Sequence, residues 1–125
     1  MPKTILIVDD HADIRRLLRM TLEFEDYEIF EAGDGEAALR FLAERPADTV
    51  VLDVMMPGPL NGLDVCRRIR AGDHPGRQAH VLLLSARGQA CDREAGLQAG
   101  ADAYLVKPFS PLQLIECLAG LPAHA

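Results

Sequence analysis

A chain of 125 residues fits one domain. At this size folding buries roughly 65–70% of the surface the unfolded chain exposes, so neither a disulfide nor a structural metal is needed to hold a core. Apolar residues make up 49% and charged residues 26%, and the formal net charge of −6 speaks against a general binder of nucleic acid or of anionic membranes, both of which ask for basic patches.

The elements are read in chain order. A short apolar run at 4–8 (TILIV) predicts a strand that stops on Asp9 and Asp10. Ile14, Leu17, Leu18 and Leu22 then share one face of a helix, with Arg15, Arg16 and Glu23 outside it. A weaker strand follows at 28–32 (EIFEA). Asp34 caps a helix that buries Ala38, Phe41 and Leu42 and ends before Pro46. Strand 49–52 (TVVL) leads to Asp53. Asn61 caps a helix that buries Val65, Cys66 and Ile69, and Arg67, Arg68 and Arg70 complement the dipole at its C-terminal end. Strand 80–84 (HVLLL) leads to Ser85.

The helix at 89–99 has little to hold it. Leu97 is its only large apolar side chain, and Gly96 weakens it further. Strand 103–106 (AYLV) leads to Lys107. The last helix opens SPLQ, with Ser110 as N-cap, Pro111 at the first helical position and Gln113 completing a capping box. It is expected to bury Leu114, Ile115, Leu118 and Leu121.

Five β-α units in succession predict a parallel sheet with helices on both faces and right-handed crossovers. Ligands of such sheets bind beyond the carboxyl ends of the strands. Those ends carry Asp9 and Asp10, Gly33 and Asp34, Asp53, Ser85 and Lys107. Taken singly, each has a plainer explanation: Asp9 or Asp10 capping a helix, Asp53 opening a turn before Pro57, Ser85 as an ordinary strand-end hydroxyl, Lys107 solvated. Together they put three carboxylates at one edge. Two such charges about 4 Å apart repel by roughly 4 kcal/mol at an effective dielectric near 20, so the cluster calls for a cation. Oxygen ligands of high charge favour Mg²⁺. Zinc asks for His or Cys; His11 adjoins the aspartates, but with no second such ligand in spacing it is expected to face solvent. The three cysteines, Cys66, Cys91 and Cys117, are widely spaced without a CxxC, which favours reduced thiols over a metal or redox site. No stretch approaches about 18 unbroken apolar residues, and MPKTILIVDD is not a secretory signal.

From Lys3 to about Leu121 the chain resembles the receiver domain of bacterial two-component response regulators. The resemblance rests on IVDDHADIR, AGDGEAAL, LDVMMPGPLNGLDV, LLLSAR and AGADAYLVKPF, in that order. It implies a flavodoxin-like (β-α)5 fold: three layers, doubly wound, five parallel strands in the order 2-1-3-4-5. It implies a regulatory protein rather than an enzyme acting on a separate substrate, with self-catalysed phosphotransfer and autodephosphorylation. Asp53 would accept a phosphoryl group from a sensor histidine kinase or a phosphotransfer protein. Asp10, Asp53 and the backbone carbonyl of Met55 would coordinate Mg²⁺ (Mn²⁺ as a substitute), with Asp9 helping through water. Lys107 and Ser85 would contact phosphoryl oxygens, Tyr104 would be the rotamer switch that follows Ser85, and the Lys107–Pro108 bond would be cis. Phosphorylation would alter the surface of the fourth helix, fifth strand and fifth helix, and so control a partner or output domain.

Three further expectations follow. The family's glycine stands eight residues after the phosphoacceptor, whereas Gly62 stands nine after Asp53, so PGPLNG carries one extra residue and bulges beyond Pro57. The basic and acidic residues by which one DNA-binding subfamily pairs its fourth-helix to fifth-helix face are missing; after Lys107 there is no Arg or Lys and only Glu116. That dimer is not expected, nor is direct contact with nucleic acid or membrane. The chain ends at LPAHA after the last helix, so residues 1–125 are expected to be a single cytoplasmic receiver domain, stand-alone or excised, with no output domain. A Mg²⁺-dependent aspartyl phosphatase of the haloacid dehalogenase type would carry DxDx[TV] at the first strand. Here that segment reads DDHAD and Asp53 sits on the third. A non-phosphorylated module of the same fold would lack an acid or the lysine.

Overall fold

The computed structural model describes residues 3–56, 58–72 and 75–121. Five strands, β1 (Lys3–Val8), β2 (Tyr27–Ala32), β3 (Thr49–Asp53), β4 (His80–Ser85) and β5 (Ala103–Val106), alternate with α1 (Ala12–Leu22), α2 (Gly35–Glu44), α3 (Gly62–Ala71), α4 (Ala90–Gln98) and α5 (Pro111–Ala119). All four strand pairings are parallel, in the order β2-β1-β3-β4-β5. A 3-10 turn, Pro75–Gln78, precedes β4.

Alternation along the strands divides the core in two. Ile5, Ile7, Val51, Leu82 and Leu84 meet Leu18 and Leu22 of α1 and Leu114 and Leu118 of α5. Leu6, Val8, Val50, Leu52, Val81 and Leu83 meet α2, α3 and Ala99. Both faces of β3 and β4 are covered, which is why their sequences are continuous apolar runs rather than alternating ones.

The caps fall where the side chains dictate. Asp34 accepts from the Ala37 N–H at 2.8 Å. Asn61 and Asp64 form a capping box, as do Ser110 and Gln113. Asn61→Ala removes one half of the box at α3 and is expected to cost about 1 kcal/mol in chemical denaturation, with the m-value unchanged.

Several side chains depart from expectation. Leu17 is 58% exposed, because Ile14, Leu18 and Leu22 already complete the buried stripe of α1. It continues outward with Met20 and Phe24 as a second apolar row at helical spacing. Phe41, Ile115 and Leu121 are half-buried rather than core. Leu97 of α4 also faces out, at 56% exposed. In its place Gly96 is the buried residue of that helix: a Cβ there would stand 2.9 Å from Tyr104 Cδ2 and 3.0 Å from Leu83 Cδ1. The glycine that weakens the helix is what lets it sit close to the sheet.

Arg70 does more than offset a helix dipole. Its guanidinium donates to the Gly100, Arg77 and Ala79 carbonyls and to Asp102, tying α3 to the loop before β5 at the edge of the sheet away from the carboxyl ends. Cys66 is core: burial pushes its thiol up to about 11, so it is protonated at neutral pH. No helix among the described residues is long and apolar enough to cross a membrane.

Candidate functional site

The carboxyl ends of β1, β3 and β5 converge. The ladder continues one residue past β1, with the Asp9 N–H donating to the Ala32 carbonyl at 3.2 Å, so the Asp9 side chain is held inside at 0% exposure. Asp53, the last residue of β3, is 3% exposed. The Lys107 N–H donates to the Ser85 carbonyl at 2.8 Å, and the Lys107–Pro108 peptide is cis. From there the lysine Nζ lies 3.4 Å from Asp53 Oδ1 and 3.8 Å from Asp9 Oδ2.

Asp10 sits at the rim with its side chain 22% exposed. Asp9, Asp10, His11 and Asp53 each offer a ligand atom within 4.8 Å of the others. Burial, then the charge of Asp9, pushes the Asp53 carboxyl above its ordinary value, against the pull of Lys107 and of the Met55 N–H, which donates to Asp53 Oδ1 at 3.2 Å. Asp9 Oδ2 and Asp10 Oδ1 are buried without a hydrogen bond. One lysine, 3.8 Å from Asp9 Oδ2, does not balance three carboxylates, and neither of those two oxygens accepts a hydrogen bond. The donor set therefore fits a hard divalent cation.

The other expected residues stand on the opposite face. Ser85 ends β4 with 0% exposure, and its hydroxyl accepts the Arg87 N–H at 3.0 Å. Tyr104 pairs with Leu83 in the sheet and packs against the core shared with α2 and α3. Its hydroxyl donates to the Arg87 carbonyl at 2.7 Å, and the Arg93 guanidinium stands 5.7 Å from its ring. Tyr104 also lines a depression of about 140 Å³ with Val54, Met55, Asn61, Leu63, Arg87, Asp92 and Ala95. Met55 itself projects outward, 54% exposed.

The extra residue of PGPLNG is absorbed before α3. Pro57 lies outside the described residues; Gly58 adopts φ +92° in open space. By Gly62 the chain is back against the site. Its N–H donates to the Val54 carbonyl at 2.9 Å, and a Cβ there would overlap the Asp53 carbonyl oxygen and stand 2.7 Å from Val54 Cα.

Two residues named in the sequence make contacts at the pocket that spacing did not predict. Arg15 Nη1 donates to the Asp9 carbonyl at 2.6 Å while its Nε and that of Arg19 hold Glu31 at 3.2 and 2.7 Å. The Arg19 hydrogen bond, with further help from both guanidiniums, holds the Glu31 carboxyl below its ordinary value. His11 is 66% exposed, as expected of a solvent-facing ring, yet its Nδ1 lies 3.2 Å from both Asp9 Oδ1 and Asp10 Oδ1.

The sequence matches the response regulator receiver domain family over residues 5–119. The chain belongs to that family. As a receiver domain it is a regulatory protein by class. It is 46% identical over 111 residues to the transcriptional regulatory protein ResD of Bacillus subtilis, covering 89% of this chain and 44% of that protein. The chain spans about half the length of the curated relatives it matches. Among solved structures, chemotaxis protein CheY4 of Vibrio cholerae superposes with a TM-score of 0.89 at 29% identity, covering 98% of this receiver and 100% of that chain. The receiver domain of sensor histidine kinase PA1611 from Pseudomonas aeruginosa, determined with a magnesium ion coordinated in its active-site cleft, superposes at 0.83 with 31% identity, covering 94% and 95%.

Proposed function

We propose that this receiver domain is a phosphoryl-accepting signalling switch. Asp53 takes its phosphoryl group from a phosphohistidine on a sensor histidine kinase or a phosphotransfer protein. The observation that carries the reading is a buried carboxylate, Asp53, with an ammonium 3.4 Å away and two further acids beside it at the carboxyl ends of parallel strands. An Asp53 oxygen attacks phosphorus, the bond to the donor imidazole nitrogen breaks, and the imidazole leaves with a proton. Lys107 balances charge on the transferring oxygens. Asp10, Asp53 and the Met55 carbonyl would hold Mg²⁺, or Mn²⁺ in its place, with Asp9 acting through water. Such an ion neutralises phosphoryl charge when bound.

Acyl phosphate at Asp53 adds up to about two negative charges and new acceptor oxygens. The Ser85 hydroxyl, on the α4 side of the sheet, turns from the Arg87 N–H toward them, and Tyr104 moves into the volume it vacates. The poor anchorage of α4, which buries no large side chain, supports a change spreading across α4, β5 and α5 to a protein partner or output domain. We place the protein in the cytoplasm, with no direct contact to nucleic acid or membrane.

The test is incubation with acetyl phosphate and Mg²⁺, read by intact mass. A gain of one phosphoryl group that maps to Asp53 supports the reading; no gain, or a gain elsewhere, overturns it. The phosphorylated form is expected to outlast the fastest receivers, because Met55 and Arg87 flank the site without a side chain suited to activating water. Loss of the label within seconds would contradict that.

A further inference from the structure

We propose that the His11 imidazole is itself a ligand in the acidic pocket, biasing it toward Mn²⁺ and Co²⁺ over Mg²⁺. The inference rests on the pocket holding a divalent ion, as argued above, and adds a nitrogen donor to its oxygen set.

Three observations carry it. His11 is the N-cap residue of α1, yet its side chain makes no cap hydrogen bond. Its ring is not needed by the helix. Instead the His11 N–H donates to Asp9 Oδ1 at 2.8 Å, closing a turn that folds the ring back over the two aspartates. The ring nitrogen Nδ1 then stands 3.2 Å from one oxygen of each. The Asp9 contact is a hydrogen bond, which the ring would exchange for the ion; metal–ligand bonds of about 2.1 Å at right angles place neighbouring donor atoms about 3 Å apart, so the spacing of Nδ1 from Asp10 Oδ1 suits a shared ion. Finally, Asp9 is fully buried and its Oδ2 has no hydrogen-bond partner, which marks the pocket as more than a chance gathering of acids. Imidazole adds little for Mg²⁺, which prefers oxygen and keeps its waters, and more for the later first-row ions.

The experiment titrates Mg²⁺, Mn²⁺ and Co²⁺ separately into the wild-type protein and His11→Ala by calorimetry, and records pulsed EPR of bound Mn²⁺. His11 is exposed, so the variant should fold. Co²⁺ affinity is expected to fall at least about tenfold in His11→Ala, with that for Mg²⁺ little changed. A nitrogen coupling on Mn²⁺ is expected in the wild type and not in the variant. If Mg²⁺ binds but Mn²⁺ shows no nitrogen coupling, or Co²⁺ affinity is unaltered, His11 is not a ligand and the magnesium pocket stands. If no divalent ion binds the wild-type protein, the inference and the pocket fail together.

Discussion

Asp53→Asn is expected to abolish phosphoryl transfer from acetyl phosphate completely, and at the same time to make the metal-free protein more stable at neutral pH. The first effect follows because the amide is not a nucleophile toward phosphorus. The second follows from electrostatics. Burial and the charge of Asp9 raise the Asp53 pKa above its ordinary value in the folded protein. A group raised in this way contributes stability that is fully present below its unfolded pKa and is lost as pH rises through the folded one. Above the raised folded pKa wild type has lost that contribution, whereas asparagine carries no charge to be penalised. In EDTA, Tm of Asp53→Asn should therefore exceed that of wild type at pH 7. The gap should close as pH falls through the raised folded pKa toward the ordinary carboxylate range. A variant that still accepts the label would refute the assignment of Asp53. A gap that widens toward low pH would refute the account of its burial.

Gly62→Ala is expected to be the most damaging added methyl among the described glycines. The new Cβ would overlap the Asp53 carbonyl and crowd Val54 Cα, both backbone atoms that cannot turn aside as a side chain would. Overpacking of this kind costs about 1–3 kcal/mol, and rigid backbone partners put this site at the upper end. The strain also falls on the residue that carries Asp53, so phosphoryl acceptance should drop along with stability in urea denaturation. By contrast, a Cβ at Gly58 meets nothing within 4 Å, and Gly58→Ala should cost only the smaller penalty of its positive φ. Equal losses at the two positions would show that the close approach at Gly62 is not what holds the loop.

Strand positions, helix caps and the edge that gathers the acids were legible in the sequence because each rests on local chemistry, whereas the strand order came from the family resemblance. Apolar runs make buried strands; Asp34, Asn61 and Ser110 make caps; and a parallel β-α series sends every strand end to the same side. The direction of individual side chains was harder to read. Leu17 suits the apolar face of α1 by spacing, but the sheet accommodates one stripe only. Gly96 reads as a helix weakness until Tyr104 and Leu83 are seen pressed against it. His11 is solvent-exposed as read, but nothing in its spacing shows that its N–H closes a turn on Asp9 Oδ1. The Arg15 contact to the Asp9 carbonyl joins α1 to the end of β1, and backbone acceptors leave no mark on composition. Legibility fails wherever a side chain's partner is main chain, or is absent as at a glycine.

The account depends most on the acidic pocket being a place for a divalent ion, and magnesium titration followed by thermal unfolding at pH 7 tests it directly. Saturable one-site stabilisation is expected for the wild type, about 1.4 kcal/mol at ten times Kd, and much weaker binding for Asp10→Asn and Asp53→Asn. No uptake by the wild type, or equal uptake by all three proteins, would contradict it.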